Sequence, residues 1–160
     1  MTATTPVAFD PRPRRLMEVR TFLATSAILS GQIVGYADAG ASDYVVPHTS
    51  ALGAPVGVAM HSQATVGGPV AVACNGSVIK VMLDATDSVA TPGDWIGSGA
   101  VAGCGLLFDS AIQGHAAGGT VSTGIWPIGV ALEDVVAGTG TAGGTVYILV
   151  NITPVYTDTA

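Results

Sequence analysis

The side chains of this 160-residue chain most able to do chemistry are three histidines, two cysteines and one adjacent pair of acids. His48, His61 and His115 lie 13 and 54 positions apart. None has a carboxylate beside it at ligand spacing, so no metal site is expected. Ser50, Ser62 and Ser77 lack the strand–turn–helix setting that exposes a nucleophilic serine. The pairs Gly76-Ser77 and Gly97-Ser98 read as turns, where serine is common. Neighbours on a strand face opposite ways, so Glu133 and Asp134 cannot form a paired-carboxylate site and read as solvent-facing loop acids. Cys74 and Cys104 are too few for a disulfide scaffold and form no metal-like pair. Reduced thiols are expected, with a single bridge between them as the alternative. No helix pattern follows any glycine-rich stretch, so Gly138, Gly140, Gly143 and Gly144 fit a turn-forming loop better than a phosphate cradle. Asn75-Gly76-Ser77 matches the glycosylation pattern, but inside a tight turn and without a secretory signal no modification is expected. No catalytic, cofactor-binding or metal residues emerge, and the chain is expected not to be an enzyme.

The elements that would carry such residues are short strands. Pro55-Val56-Gly57-Val58-Ala59-Met60 returns as Pro127-Ile128-Gly129-Val130-Ala131-Leu132. Each copy leads through a loop and a Gly-Gly pair into an alternating run, Pro69 to Asn75 and Thr145 to Asn151. A strand–loop–strand unit, about 55–75 and 127–151, is thus used twice, and the reading is one β-domain with two related halves. Asn75-Gly76 predicts a two-residue hairpin pairing Cys74 with Ser77, Val72 with Ile79 and Val70 with Val81. Those six, extended by Leu83, would face the core, with Ala71, Ala73, Val78 and Lys80 on the other side. Cys74 then reads as a small buried hydrophobe. Tyr147 and Leu149 point away from Val146, Ile148 and Val150, toward a second layer or a subunit contact. Residues 19–23 and 32–36 suit strands around a turn at Gly31, with a helix at 21–29 as the competing assignment. Gly93-Asp94-Trp95-Ile96 opens another strand; Leu106 to Phe108 and Val121 to Ile125 are weaker candidates. Trp126 reads as a plug at one end, and Gly114 to Gly119 as an exposed connection. The fold class that follows is all-β, a compact barrel or sandwich of short strands with an extended N-terminal arm.

The arm is residues 1–20, ahead of a single domain over 21–160. Pro6, Pro11 and Pro13 fix φ and remove amide donors, so it is extended and not helical. It carries Arg12, Arg14, Arg15 and Arg20 against Asp10 and Glu18, a net of +2, while the remainder has Lys80 alone against nine acids, a net of −8. An acidic body with no cationic face argues against nucleic acid as its partner. Charged residues make up only 10% of the chain, against about 25% in ordinary domains, which fits a neutral small-residue surface on a rigid fold or, the preferred reading, a surface largely covered by partners. No run of 18 apolar residues exists, so no membrane span is expected.

The sequence GQIVGY, PVGVA, GGPVAV, GDWI and a returning PIGVALE with TVYILV resembles the capsid decoration, or head cement, proteins of tailed bacteriophages, over roughly residues 20–150. The resemblance implies a virion protein on the outer capsid surface, made in the host cytoplasm. It would bind the major capsid protein of the expanded shell as a homotrimer at local three-fold positions and hold neighbouring subunits against DNA pressure. It supplies no catalytic residues and no cofactor. Arg12, Arg14, Arg15 and Arg20 would contact capsid carboxylates or carbonyls, with Val7 and Phe9 as apolar anchors. A head fibre or adhesin displaying a carbohydrate- or protein-binding site is the alternative, although exposed aromatics to build such a site are scarce. A hydrolase using His48 or His115 ranks third.

Overall fold

Apolar runs of four to six residues, broken by glycine and proline, are too short to nucleate helices and long enough for strands. The computed structural model describes residues 18–38, 43–49, 52, 54–84, 90–98, 101–107, 126–135 and 144–152, and every regular element among them is a strand. The arm to residue 17, Val121 to Ile125, Gly114 to Gly119, Phe108 and the tail from 153 lie outside the described residues.

The first half holds β1 (Val19–Ala24), β2 (Ile33–Tyr36), β3 (Tyr44–Pro47), β4 (Pro55–Ala59) and β5 (Pro69–Ala73). They close into a barrel in the order β1-β3-β2-β4-β5. The second half holds β6 (Val78–Met82), β7 (Trp95–Ser98), β8 (Gly105–Leu107), β9 (Trp126–Ala131) and β10 (Thr145–Val150), a sheet in the order β6-β10-β9-β7-β8. Advancing each label of the first half by five reproduces the second.

The match extends to individual residue pairs. Along β2–β4, Ile33 faces Val58 and Val34 faces Gly57, then the register shifts to put Gly35 opposite Pro55. Along β7–β9, Trp95 faces Val130 and Ile96 faces Gly129, with the same shift before Gly97 meets Pro127. Val58 and Ala59 meet Ala73 and Val72; Val130 and Ala131 meet Leu149 and Ile148. A Cβ on Gly57 would strike the Ala73 carbonyl oxygen, and one on Gly129 the equivalent Leu149 oxygen. The repetition therefore covers five strands per half, more than the two whose sequences visibly recur.

Each half has its own interior. Phe22, Ala24, Val34, Val45, Val70 and Val72 fill the first; Val81, Leu83, Ile96, Ile128, Val146 and Ile148 fill the second. The seams differ. In the first, β1 and β3 run parallel and pair Leu23 with Tyr44 and Ala24 with Val45. In the second, the ends meet at one parallel bridge, Leu83 to Gly105. Beside that bridge the first half inserts its β1–β2 turn. The Met82 amide donates to the Gly31 carbonyl at 2.9 Å, and the Ile33 amide donates to the Gly103 carbonyl at 2.8 Å. Ile33 and Val58, outside the first interior, pack into the second cluster with Val81 and Leu83. Full burial of one such isoleucine stabilises by about 1.5–3 kcal/mol.

The Asn75-Gly76 hairpin does not form. The Ser77 amide closes a turn on the Cys74 carbonyl at 3.2 Å, but β5 pairs with β1 and β4, and β6 pairs with β10. Gly76 has φ 84° and Asn75 a negative φ, whereas a type I′ turn needs both positive. With the positive angle only at its third residue, this turn splays its strands apart and hands the chain from the barrel to the second sheet. The burial pattern expected for this stretch holds better than its pairing. Val70, Val72, Cys74, Ser77, Val81 and Leu83 are buried, Ile79 is half-buried, and Val78 and Lys80 are exposed. Ala73, expected on the outer side, is fully buried. Residues 19–24 form a strand, so the competing helix at 21–29 is excluded. β3 was not anticipated.

Candidate functional site

The titratable side chains are dispersed. Among the described residues no group of three or more His, Cys, Asp or Glu could hold a metal ion. His48 is fully buried behind β3, its ring so close over Gly35 that a Cβ there would lie 2.7 Å from Cδ2. His61 extends the β4–β5 ladder, because its Nε2 accepts the Ala71 amide at 3.1 Å and its Nδ1 lies 3.3 Å from the Ser62 carbonyl. His115 lies outside the described residues. Glu133 is half-buried, its Oε1 accepting the Tyr147 amide at 3.1 Å, so it pins β10 and is not a purely solvent-facing acid. Asp134 is exposed.

Both thiols are free. Burial pushes the Cys74 thiol up and nearby Glu18 adds to the rise; burial, then Asp84, does the same for Cys104. Neither is an activated nucleophile, since activation requires the opposite shift.

Two surface features remain. The first is a groove of about 610 Å³ at one end of the first barrel, where the arm joins the body. Tyr36, Leu52, Pro55, Val56 and Ile152 give it apolar walls, and Glu18, Arg20 and Asp38 line its charged side. Tyr36 is held edge-on to Phe22, ring centroids 6.1 Å apart, and remains 39% exposed. The Asn75 Oδ1 accepts the Ile152 amide at 2.7 Å, so the turn between the barrel and the second sheet fixes the far wall. Of the arm residues singled out in the sequence, Arg20 is the one described. It is exposed on β1 and its Nη2 lies 2.6 Å from Glu18. Val7, Phe9, Arg12, Arg14 and Arg15 lie outside the described residues.

The second feature is the outer face of β6, β10 and the end of β9. Val78, Tyr147, Leu149 and Leu132 are exposed there, and the Lys80 ammonium sits 4.8 Å from the Tyr147 ring centroid. The alternation of TVYILV puts Tyr147 and Leu149 opposite Val146, Ile148 and Val150; they are exposed, with no second layer of this chain over them among the described residues. The groove was invisible in the sequence, because its walls come from five separated segments. Trp126, expected as a plug, opens β9 half-buried.

No family model matches the chain, and no curated protein does. Among solved structures, the chain is similar to the N base of the head fibre gp8.5 of bacteriophage phi29. The two share 14% identity with a TM-score of 0.53, over 85% of this chain and 95% of that one. Neither the barrel nor the second sheet alone reaches half of the 160 residues, so an 85% match spans both. At this identity the likeness is one of fold.

Proposed function

We propose that this chain is a structural protein of a phage head, bound on the outside of the shell. The observation that carries the reading is the fold shared with the base of a phage head fibre. Its support from the sequence is independent of that likeness: a body almost free of cations, a low-charge surface and a basic, proline-rich arm. In this reading the protein transforms no substrate. It is a cement that assembles as a homotrimer at local three-fold positions, and its arm reaches the major capsid protein through Arg12, Arg14, Arg15 and Arg20. Many weak contacts of this kind hold through avidity.

The second reading is a fibre base that seats a distal binding module on the head without strengthening it, favoured by the identity of the structural neighbour. One experiment separates the two. Expanded heads are incubated with the full chain, co-sedimented and heated while DNA release is followed. A cement sediments with the heads and raises the release temperature. A fibre base sediments and leaves it unchanged. Failure to sediment refutes both. Deleting residues 1–15 is expected to abolish sedimentation while leaving a folded body.

A further inference from the structure

The groove beside Tyr36 has a specific geometric relation to the arm, because Glu18 and Arg20 form part of its wall and the chain leaves the body there. Its apolar side, Tyr36, Pro55 and Val56, suits a proline-rich extended segment, which docks against aromatic and proline surfaces with little ordering cost. Asp38 and Glu18 bring negative charge to the rim, and Arg20 already pairs with Glu18. The arm supplies the matching chemistry: Val7 and Phe9 as apolar groups, followed by Arg12, Arg14 and Arg15. The tail after Ile152 fits less well, since it carries Asp158 and no cation.

Length decides whose arm is seated. At about 3.1 Å per residue, an extended segment carries Phe9 roughly 28 Å from Glu18. Returning to its own groove would require the chain to reverse between Phe9 and Glu18. Pro11 and Pro13 disfavour that reversal, since each proline and the residue before it prefer extended backbone. An arm that stays extended reaches outward instead, where a neighbouring molecule's groove can receive it.

We propose that this groove receives the N-terminal arm of a second copy, with Val7 and Phe9 seated against Tyr36, Pro55 and Val56. Neighbouring copies are then laced to one another, with the arginines that follow the anchor lying toward the acidic rim at Asp38. The inference deepens the head-binding reading by naming a second partner for the arm, yet its test involves no heads, so either can fail alone.

The test is disulfide trapping with full-length protein under mild oxidation. An Ala8→Cys variant, which keeps both anchors, is mixed with an Ala54→Cys variant, Ala54 being exposed on the groove wall. An Ala8→Cys variant mixed with Val101→Cys, exposed on the second half, is the control. Docking raises the local concentration of one thiol near the other, so the 8–54 link, identified by peptide mapping, should form about tenfold faster than the 8–101 link. A chain carrying both Ala8→Cys and Ala54→Cys should give linked oligomers. Equal rates for the two mixtures, or internally linked monomers from the double variant, would overturn the proposal.

Discussion

Ala24 lies beside Val45 at the seam of the closed barrel; at the same two positions the second, open sheet has Leu83 and Gly105. A Cβ on Gly105 would come 3.4 Å from the Leu83 Cδ2 and 2.8 Å from the Ile96 Cγ2, so the large residue has changed strand and the glycine leaves it room. Similar exchanges run through both interiors, with Phe22 against Val81, Val34 against Ile96 and Val56 against Ile128. Volume is kept roughly constant while position drifts, as close-packed cores require. The outer faces follow no such constraint. Where the barrel has Thr21 and Ala71, the second sheet has Lys80 and Tyr147. Interiors that compensate and exteriors that do not are the mark of two units sharing a fold while meeting different surroundings.

The comparison can be broken most forcefully at its closest backbone approach. Gly57→Ala and Gly129→Ala each drive a methyl into a carbonyl oxygen of the adjacent strand and should each cost about 3 kcal/mol, read from urea denaturation midpoints. A large loss at one site and none at the other would mean that the two ladders are not equivalent. The inserted turn gives the next largest effect. Ile33→Ala should cost about 3 kcal/mol because Ile33 is fully buried in the second half's cluster, whereas Trp95→Ala, at the matching but half-buried position, should cost about 1 kcal/mol. Equal costs would remove the asymmetry between the seams. Leu83→Ala should be destabilising by about 2–4 kcal/mol, with part of the loss recovered when it is combined with Gly105→Val and Ile96→Val, a cycle that restores the first barrel's residues.

The smallest effects are ionic. Val150 occupies the place of Cys74, so Cys74→Val should change stability near neutral pH by less than about 1 kcal/mol. Its signature is in alkali. The folded thiol is pushed up by burial, so its contribution is whole below the unfolded pKa and is lost as pH rises through the folded one. The native protein should weaken above about pH 8.5 and Cys74→Val should weaken less, with half-buried Cys104 contributing the remainder. In acid the two β-turn locks diverge. The Leu29 amide donates to the Gln32 Oε1 at 2.9 Å, and at the equivalent site the Thr91 amide donates to the Asp94 Oδ2 at 2.8 Å. The amide and hydroxyl of Thr91 hold the Asp94 carboxyl below its usual range. That lock is present above the unfolded carboxylate pKa and is released as pH falls through the folded one. Hydrogen exchange at the Thr91 amide should therefore accelerate in acid relative to the change in intrinsic rate, while the Leu29 amide follows its intrinsic rate.

The amino-acid pattern made the strands legible wherever alternation met a glycine or proline boundary, as in β5, β6 and β10. It also identified the buried side of Val70, Val72 and Cys74. Pairing was harder to read, since Asn75-Gly76 sits between two ideal hairpin arms that each have a better partner elsewhere. Tertiary competition decided that outcome, and the φ of one asparagine records it. β3, Tyr44-Val45-Val46-Pro47, is four residues long and lacks enough alternation to stand out. The second half's β7 and β8 pair like β2 and β3, but Leu106-Leu107 shares no letters with Val46-Pro47, so half of the duplication was hidden. The groove could not be found because no one of its walls is a motif.

One consequence follows from the turn at Gly31. A knob on one unit filling a cleft on the next is the head-to-tail geometry from which open fibres grow. Here the cleft beside Gly103 is already occupied from within its own chain, and the corresponding cleft of the leading unit is zipped shut by Leu23 and Ala24 against Tyr44 and Val45. Among the described residues, the knob at Gly93 therefore meets no open counterpart of the cleft that receives Gly31.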